Sequence, residues 1–231
     1  MEEIYGDGCG KMRTPVQFYK ELGAEVLVSR KNVIHTQKEL ICLKKLLDKK
    51  MKILDLACGY GRFTIPLAKQ GYLIEGIDIS ADLLKKAKKD AKEESLKIKL
   101  RLGDMRKLPY NKEKFDSVIC MWSAFVELKN KSDQIKSIKE ILRILKFGGF
   151  AFIEMTVPLK DRKDGQRKIG DDFVLNGNII TGKIEGVEIT PVYNQNKKSL
   201  TDLMKTCKVK KYKVYIDNFG GRDRLLLQFW K

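Results

Sequence analysis

The chain has 231 residues, 43% of them hydrophobic and 33% charged, and carries a formal net charge of +17. That length and apolar content suit one ordinary core, while the absence of an apolar run of about 18 residues or of an N-terminal leader pattern leads us to expect a soluble, cytoplasmic protein without membrane association. Five scattered cysteines (Cys9, Cys42, Cys58, Cys120, Cys207) with no C-x-x-C pair, and a single histidine, exclude a disulfide framework and give no metal site.

Thr14-Pro15 offers a cap followed by proline at the first helical position, predicting a helix through Phe18, Tyr19 and Leu22 toward Val26. Thr36-Gln37-Lys38-Glu39 reads as a capping box opening a second helix, with Leu40, Leu43 and Leu47 on one face. A buried strand over Ile53 to Leu56 then meets the glycine turn Gly59-Tyr60-Gly61, and a second apolar strand, Tyr72 to Ile77, ends on Asp78. Ser80 is placed to cap a helix carrying Leu83, Leu84, Ala87 and Ala91. Further strands are expected over Lys97 to Leu102 and Phe115 to Trp122, with a helix capped by Ser132 before a fifth strand ending near Ile153. This alternation of strand and helix over 52–155 argues for a parallel sheet covered on both faces.

Residues 157–190 leave that scheme. Lys160, Arg162, Lys163, Arg167 and Lys168 form a basic connector, Phe173 to Ile180 reads as a hairpin turning on Asn-Gly, and a short strand is expected around Ile184 to Ile189. Lys208 to Phe219 and Leu225 to Trp230, joined through Gly220-Gly221, predict a final hairpin that adds an antiparallel edge. Insertions beyond a strand's carboxyl end lie over the ligand crevice of a doubly wound sheet. We therefore divide a single domain into a helical lid and cap (1–48), a cofactor-binding core (49–156), a substrate cap (157–190) and a C-terminal helix with its strand hairpin (191–231).

The turn after the first strand carries the functional signal. Gly59 and Gly61 leave bare amides at a helix N-terminus, where the partial positive charge favours an anionic or carboxylate-bearing ligand, and Asp78 could accept hydrogen bonds from ribose hydroxyls. A dinucleotide fingerprint needs a third glycine where Thr64 stands, and a phosphate loop needs a Gly-Lys-Ser or Gly-Lys-Thr that the chain lacks. What remains is the acidic-x-small-x-Gly-x-Gly pattern at 55, 57, 59 and 61, which resembles the class I S-adenosylmethionine-dependent methyltransferases. Gly103-Asp104-Met105-Arg106, the strand ending at Met121-Trp122, and Leu145-Lys146-Phe147-Gly148-Gly149 extend the likeness, with Phe147 for the usual proline and Ala57 for the commonest glycine.

That resemblance implies a doubly wound, mostly parallel seven-stranded α/β sheet of Rossmann-like type, with an antiparallel C-terminal hairpin strand. It implies S-adenosyl-L-methionine as cofactor, held by Tyr19, Asp55, Ala57, Cys58, Gly59, Gly61, Arg62, Asp78, Ile79, Asp104, Met105 and Met121. A tyrosine like Tyr19 folds over the cofactor in such enzymes, and Trp122 borders the transferred methyl. The catalytic residue is open. His35, Tyr19 and Glu127 are the candidates for removing a proton from the acceptor. The stretches Gly103 to Pro109, Trp122 to Phe125 and Val214 to Gly221 look like a compact subgroup acting on metabolites, so a small-molecule N- or O-methyltransferase ranks first. The basic charge keeps RNA as the alternative partner, followed by a binding module without turnover and, distantly, a nicotinamide oxidoreductase.

Overall fold

The computed structural model describes residues 13–29, 33–158 and 173–231. Five strands run parallel: β1 (Lys52–Leu56), β2 (Leu73–Asp78), β3 (Leu100–Leu102), β4 (Phe115–Cys120) and β5 (Leu145–Thr156). Four short strands, β6 (Phe173–Asn176), β7 (Ile179–Ile184), β8 (Val187–Glu188) and β9 (Val192–Tyr193), make a separate antiparallel sheet. The final pair, β10 (Lys211–Phe219) and β11 (Arg222–Trp230), returns to the main sheet, with β11 antiparallel to β5. The seven-stranded order is β10-β11-β5-β4-β1-β2-β3, so the only reversed neighbours lie at the C-terminal edge, as the sequence predicts.

Helices cover both faces because the central strands are apolar on both sides. Ile53, Ile119 and Phe152 point to a core shared with α3 (Val33–Leu46) and α4 (Thr64–Lys69); their neighbours Leu54, Val118 and Ile153 point to one shared with α6 (Lys131–Ile144) and α7 (Lys197–Thr206). That is the two-residue period of a strand buried twice over. Each fully buried Leu or Ile stabilises by about 1.5–3 kcal/mol. Two helices precede α3, namely α1 (Pro15–Leu22) and α2 (Ala24–Ser29), and α5 (Ala81–Glu93) packs on β3, capped by Ser80 as expected. Among the described residues no helix is long and apolar enough to cross a membrane.

Several boundaries differ from expectation. The first helix does not continue to Val26: Gly23, at φ 81°, breaks it, and its capping box pairs Thr14 with Gln17. Thr36 and Glu39 do not cap α3, which begins at Val33; both lie inside it, buried. Asn130 rather than Ser132 caps α6, accepting from the Asp133 amide at 2.8 Å. The hairpin after β6 turns on Gly177-Asn178, with φ 59° at Gly177, because Asn176 is still paired with Ile179. The segment Lys146 to Gly149 is a bulge inside β5: pairing with β4 passes from Phe115↔Leu145 to Ser117↔Phe150. Cys9 and the basic residues Lys160, Arg162, Lys163, Arg167 and Lys168 lie outside the described residues.

The tip of the C-terminal hairpin is wedged against α3. Gly220 has φ 68°, and a Cβ there would stand 2.2 Å from Glu39 Cγ and 3.2 Å from the Glu39 amide nitrogen. His35 Nδ1 lies 3.0 Å from the Gly220 carbonyl oxygen. Gly148 has a similar φ of 79° but open space around it. Gly148→Ala should therefore cost only the left-handed backbone term of about 1–2 kcal/mol, whereas Gly220→Ala should cost at least about 2 kcal/mol more through steric expulsion. Thermal denaturation of the two variants should show a clearly larger drop for Gly220→Ala. Equal drops would mean that the α3 contact yields without cost.

Candidate functional site

The β1 turn is held from beneath by a carboxylate on the neighbouring strand. Ala57, Gly59 and Gly61 all have positive φ (62°, 53° and 84°), which bends the chain sharply at the strand's end. For Ala57 that conformation costs about 1–2 kcal/mol, which is the physical consequence of alanine in a place where glycine is common. Asp78 Oδ2 accepts from the Gly59 amide at 2.7 Å and Oδ1 accepts from the Ser80 amide at 2.8 Å, tying the ends of β1 and β2 together. Asp55, 1% exposed, accepts from the Thr64 hydroxyl at 2.5 Å. Burial pushes its pKa up to about 7, with the Thr64 bond pulling the other way and the Asp78 charge adding to the rise.

A second turn ends β4. Trp122 and Ser123 both adopt left-handed backbone (φ 58° and 65°), strained for non-glycine residues and doubly so in succession. Glu154 on β5 supports them: one carboxylate oxygen accepts from the Trp122 amide at 2.6 Å, while the other is paired with Arg224 of β11. Arg224 Nη2 also donates to Ser123 Oγ at 2.9 Å. The Trp122 ring in turn lies 4.0 Å from the Arg62 guanidinium carbon.

Between the two turns, at the carboxyl ends of the strands, opens a cavity of about 500 Å³. Tyr19, Asp55, Ala57, Cys58, Gly59, Arg62, Asp78, Ile79, Asp104, Met105 and Met121 all line it, as does Trp122. Gly61 does not: its amide turns back to the Cys58 carbonyl, and a Cβ there would meet Ile65 at 2.8 Å, so its role is to seat α4 against the loop. Asp104 is not a free carboxylate. Burial alone would raise its pKa, but the Arg106 side chain and amide hold it below the usual range, and Arg106 reaches on to Asp133 at 2.9 Å.

Of the three proton-acceptor candidates, the structure brings two together. The Tyr19 hydroxyl of α1 donates to Glu127, which ends a short 3₁₀ turn over Ala124–Glu127. Burial pushes the Glu127 carboxyl up to about 7, the Tyr19 bond lowers it and the Asp78 charge raises it; Tyr19 is itself raised by burial and by the Glu127 charge, and so stays protonated. His35 is elsewhere, on the α3–hairpin contact and off the cavity wall. Glu154 and Arg224 were invisible as a pair in the sequence: a lone Glu in the apolar run 150–155 is a signal that could have marked Glu154, but Arg224 ends the charged run Arg222-Asp223-Arg224 and carries none. Thr190, 3% exposed, also lines the cavity. No cluster of His, Cys, Asp or Glu suited to a metal occurs among the described residues.

Residues 53–149 match the family described as a methyltransferase domain. The chain is 35% identical over 109 residues to the YqeM protein of Bacillus subtilis (strain 168), covering 47% of this chain and 44% of that one. It is 32% identical over 124 residues to a ubiquinone biosynthesis O-methyltransferase of Coxiella burnetii (strain Dugway 5J108-111), covering 54% and 51%. The chain thus spans about half the length of these curated relatives. The PH0226 protein of Pyrococcus horikoshii OT3 shares the fold, with a TM-score of 0.72 at 22% identity over 92% of this chain and 97% of that one. Residues 53–149 thus match the methyltransferase-domain family, and the glycine turn, the Asp78 clamp and the reversed edge strand lie within and around that match, in a fold shared with the solved structure.

Proposed function

We propose that the protein transfers a methyl group from S-adenosylmethionine to an oxygen or nitrogen of a small-molecule acceptor. The observation that carries this reading is the 500 Å³ cavity, bounded below by the Asp78-clamped turn and above by α1 and the 3₁₀ turn. That size suits a nucleoside-sized ligand beside a small acceptor. The donor set also fits the cofactor: the two backbone bonds to Asp78 leave lone pairs for ribose hydroxyls, since an ionised carboxylate offers about four acceptor sites. A small-molecule acceptor is further supported by the quinone-pathway enzyme among the relatives.

The cofactor brings an electrophilic methyl on a sulfonium, so the protein's main task is alignment. The strained Trp122-Ser123 turn fixes the wall at the end of β4, and Met121 beside it contributes an apolar surface. Glu127, with its carboxyl poised near neutrality and oriented by the Tyr19 hydroxyl, is placed to take a proton from an acceptor hydroxyl or ammonium.

Two predictions test these assignments. Asp78→Asn keeps the shape but removes the charge, and should weaken S-adenosylhomocysteine binding about 10- to 100-fold, equivalent to ~1.5–3 kcal/mol for charge-assisted hydrogen bonds; unchanged affinity by isothermal titration would take Asp78 out of the site. Because burial raises the folded-state pKa of Glu127 above its unfolded value, the folded protein holds that proton more tightly, and the resulting stability is present below the ordinary carboxylate range and lost as pH rises through about 7. Between pH 5 and pH 8 the wild type should therefore lose on the order of 1–3 kcal/mol more stability than Glu127→Gln in urea denaturation. Parallel pH profiles would show that Glu127 is ionised throughout.

A further inference from the structure

Charge along the cavity wall is unevenly matched. Of the guanidinium groups that line it, Arg13 is paired with Glu21, Arg62 with Glu39 at 2.7 Å, and Arg106 with Asp104 and with Asp133 at 2.9 Å. Asp55, Asp78 and Glu127 line the same cavity, and among the described residues none of them forms an ion pair. They differ in what stands in for the counter-charge. Asp78 takes the Gly59 and Ser80 amides, and Asp55 is held by Thr64 beneath the turn. Glu127 has the Tyr19 hydroxyl alone, on one of its two oxygens. Both Glu127 and Tyr19 are half-buried and keep surface on the cavity. Lys129, the remaining cation of the wall, makes no ion pair with Glu127.

A carboxylate drawn partly out of water, with a neutral phenol as its one bonding partner, has a cation as its natural complement. Burial opposes its charge and pushes the carboxyl up to about 7, an effect that an incoming positive group would reverse. An acceptor that had to ionise to an oxyanion would instead set a further negative charge beside Glu127 and Asp78, while every guanidinium of the wall is already taken. We propose that the acceptor is a small primary or secondary amine, which enters as an ammonium donating to Glu127, and that nitrogen is therefore the atom methylated. The proposal rests on the methyl-transfer reading and narrows it. The ammonium gives one proton to Glu127, and the nitrogen lone pair so freed takes the donor's methyl. The C–S bonding pair stays on sulfur, which becomes a neutral thioether, and the product leaves as the methylated ammonium while the Glu127 proton passes to water. Tyr19, itself kept protonated by burial and by the Glu127 charge, orients the carboxyl throughout. Met121, Trp122 and Leu128 supply apolar surface for the hydrocarbon body of such an amine.

Isothermal titration of the full chain at pH 8, with S-adenosylhomocysteine saturating, compares butylamine, benzylamine and phenethylamine with the alcohol of the same skeleton. At least one amine should bind about 10-fold or more tightly than its alcohol, and mass spectrometry after incubation with S-adenosylmethionine should find that amine methylated at nitrogen. Glu127→Gln keeps the shape and still accepts from Tyr19, and should bring the amine's affinity down to that of its alcohol. The wild-type comparison decides the matter even where the variant fails to fold. Alcohols that bind as tightly as the amines, no binding by any amine, or an amine that Glu127→Gln binds like wild type each overturn the ammonium site, while binding of S-adenosylhomocysteine keeps the methyl-transfer reading. A Glu127→Gln protein that binds S-adenosylhomocysteine more weakly but 5′-methylthioadenosine, which lacks the amino-acid end, like wild type assigns Glu127 to the cofactor's own ammonium and also overturns it. Wild-type protein that binds neither adenosine ligand removes the methyl-transfer reading, and this one with it.

Discussion

Buried carboxylates hold the two turns that frame the cavity, and the rest of the site hangs on them. Asp78 fixes the Gly59 amide at the end of β1, and Glu154 fixes the Trp122 amide at the end of β4. In both places the chain leaves a strand through left-handed backbone that side chains resist. A charge-assisted hydrogen bond is about the right strength to offset one such residue. Without these two bonds the loops would relax into commoner turns and the walls of the cavity would move.

The same logic explains why charged groups sit so deep. A buried ion pair stabilises little compared with apolar packing of the same volume, yet breaking one costs several kcal/mol because a charge is left alone. Glu154 and Arg224 thus contribute less to the stability of the sheet than to its geometry: Arg224 reaches Ser123, and Glu154 reaches Trp122, so one pair sets two consecutive residues. Glu39 plays the corresponding part on the other side, linking α3 to the β1 turn through Arg62 and to the C-terminal hairpin through Arg222. The hairpin tip is therefore coupled to the cavity wall through α3, even though no residue of the tip lines the cavity.

Much of this was legible in the residues, and where it was not the reason is physical. Strand positions, the Ser80 cap and the glycine turn follow from local pattern, because apolar periodicity and turn chemistry act within a few residues. Thr36-Gln37-Lys38-Glu39 has the composition of a helix cap but was spent on tertiary contacts with Arg62 and Arg222, which local pattern cannot distinguish. The break at Gly23 was equally ambiguous, since glycine inside a helical stretch is either tolerated or a stop. The Glu154–Arg224 pair requires the β5–β11 register, in which Leu226 faces Glu154 and Arg224 faces Thr156, and register over 70 residues of sequence is set by the whole sheet. Glu127 was nameable as an acid after the fourth strand, but its partnership with Tyr19 depends on how α1 lies over the cavity.

The distribution of charge separates the surface from the site. Lys85, Lys88, Lys89 and Lys92 are exposed on α5, and Lys211 and Lys213 are exposed on β10, the edge strand of the sheet. Lysines in such places keep an open edge from pairing with another chain and give the molecule its net positive field. The cavity has a different pattern, lined by the carboxylates of Asp55, Asp78 and Glu127 and by Arg62, whose charge is already paired with Glu39. Selection of a ligand depends on that short-range polarity, which low dielectric strengthens, and much less on the overall +17, which salt screens within about 10 Å. Ligand selection therefore rests on the few buried groups along the cavity wall, where a neutral-poised acid such as Glu127 has a definite chemical complement.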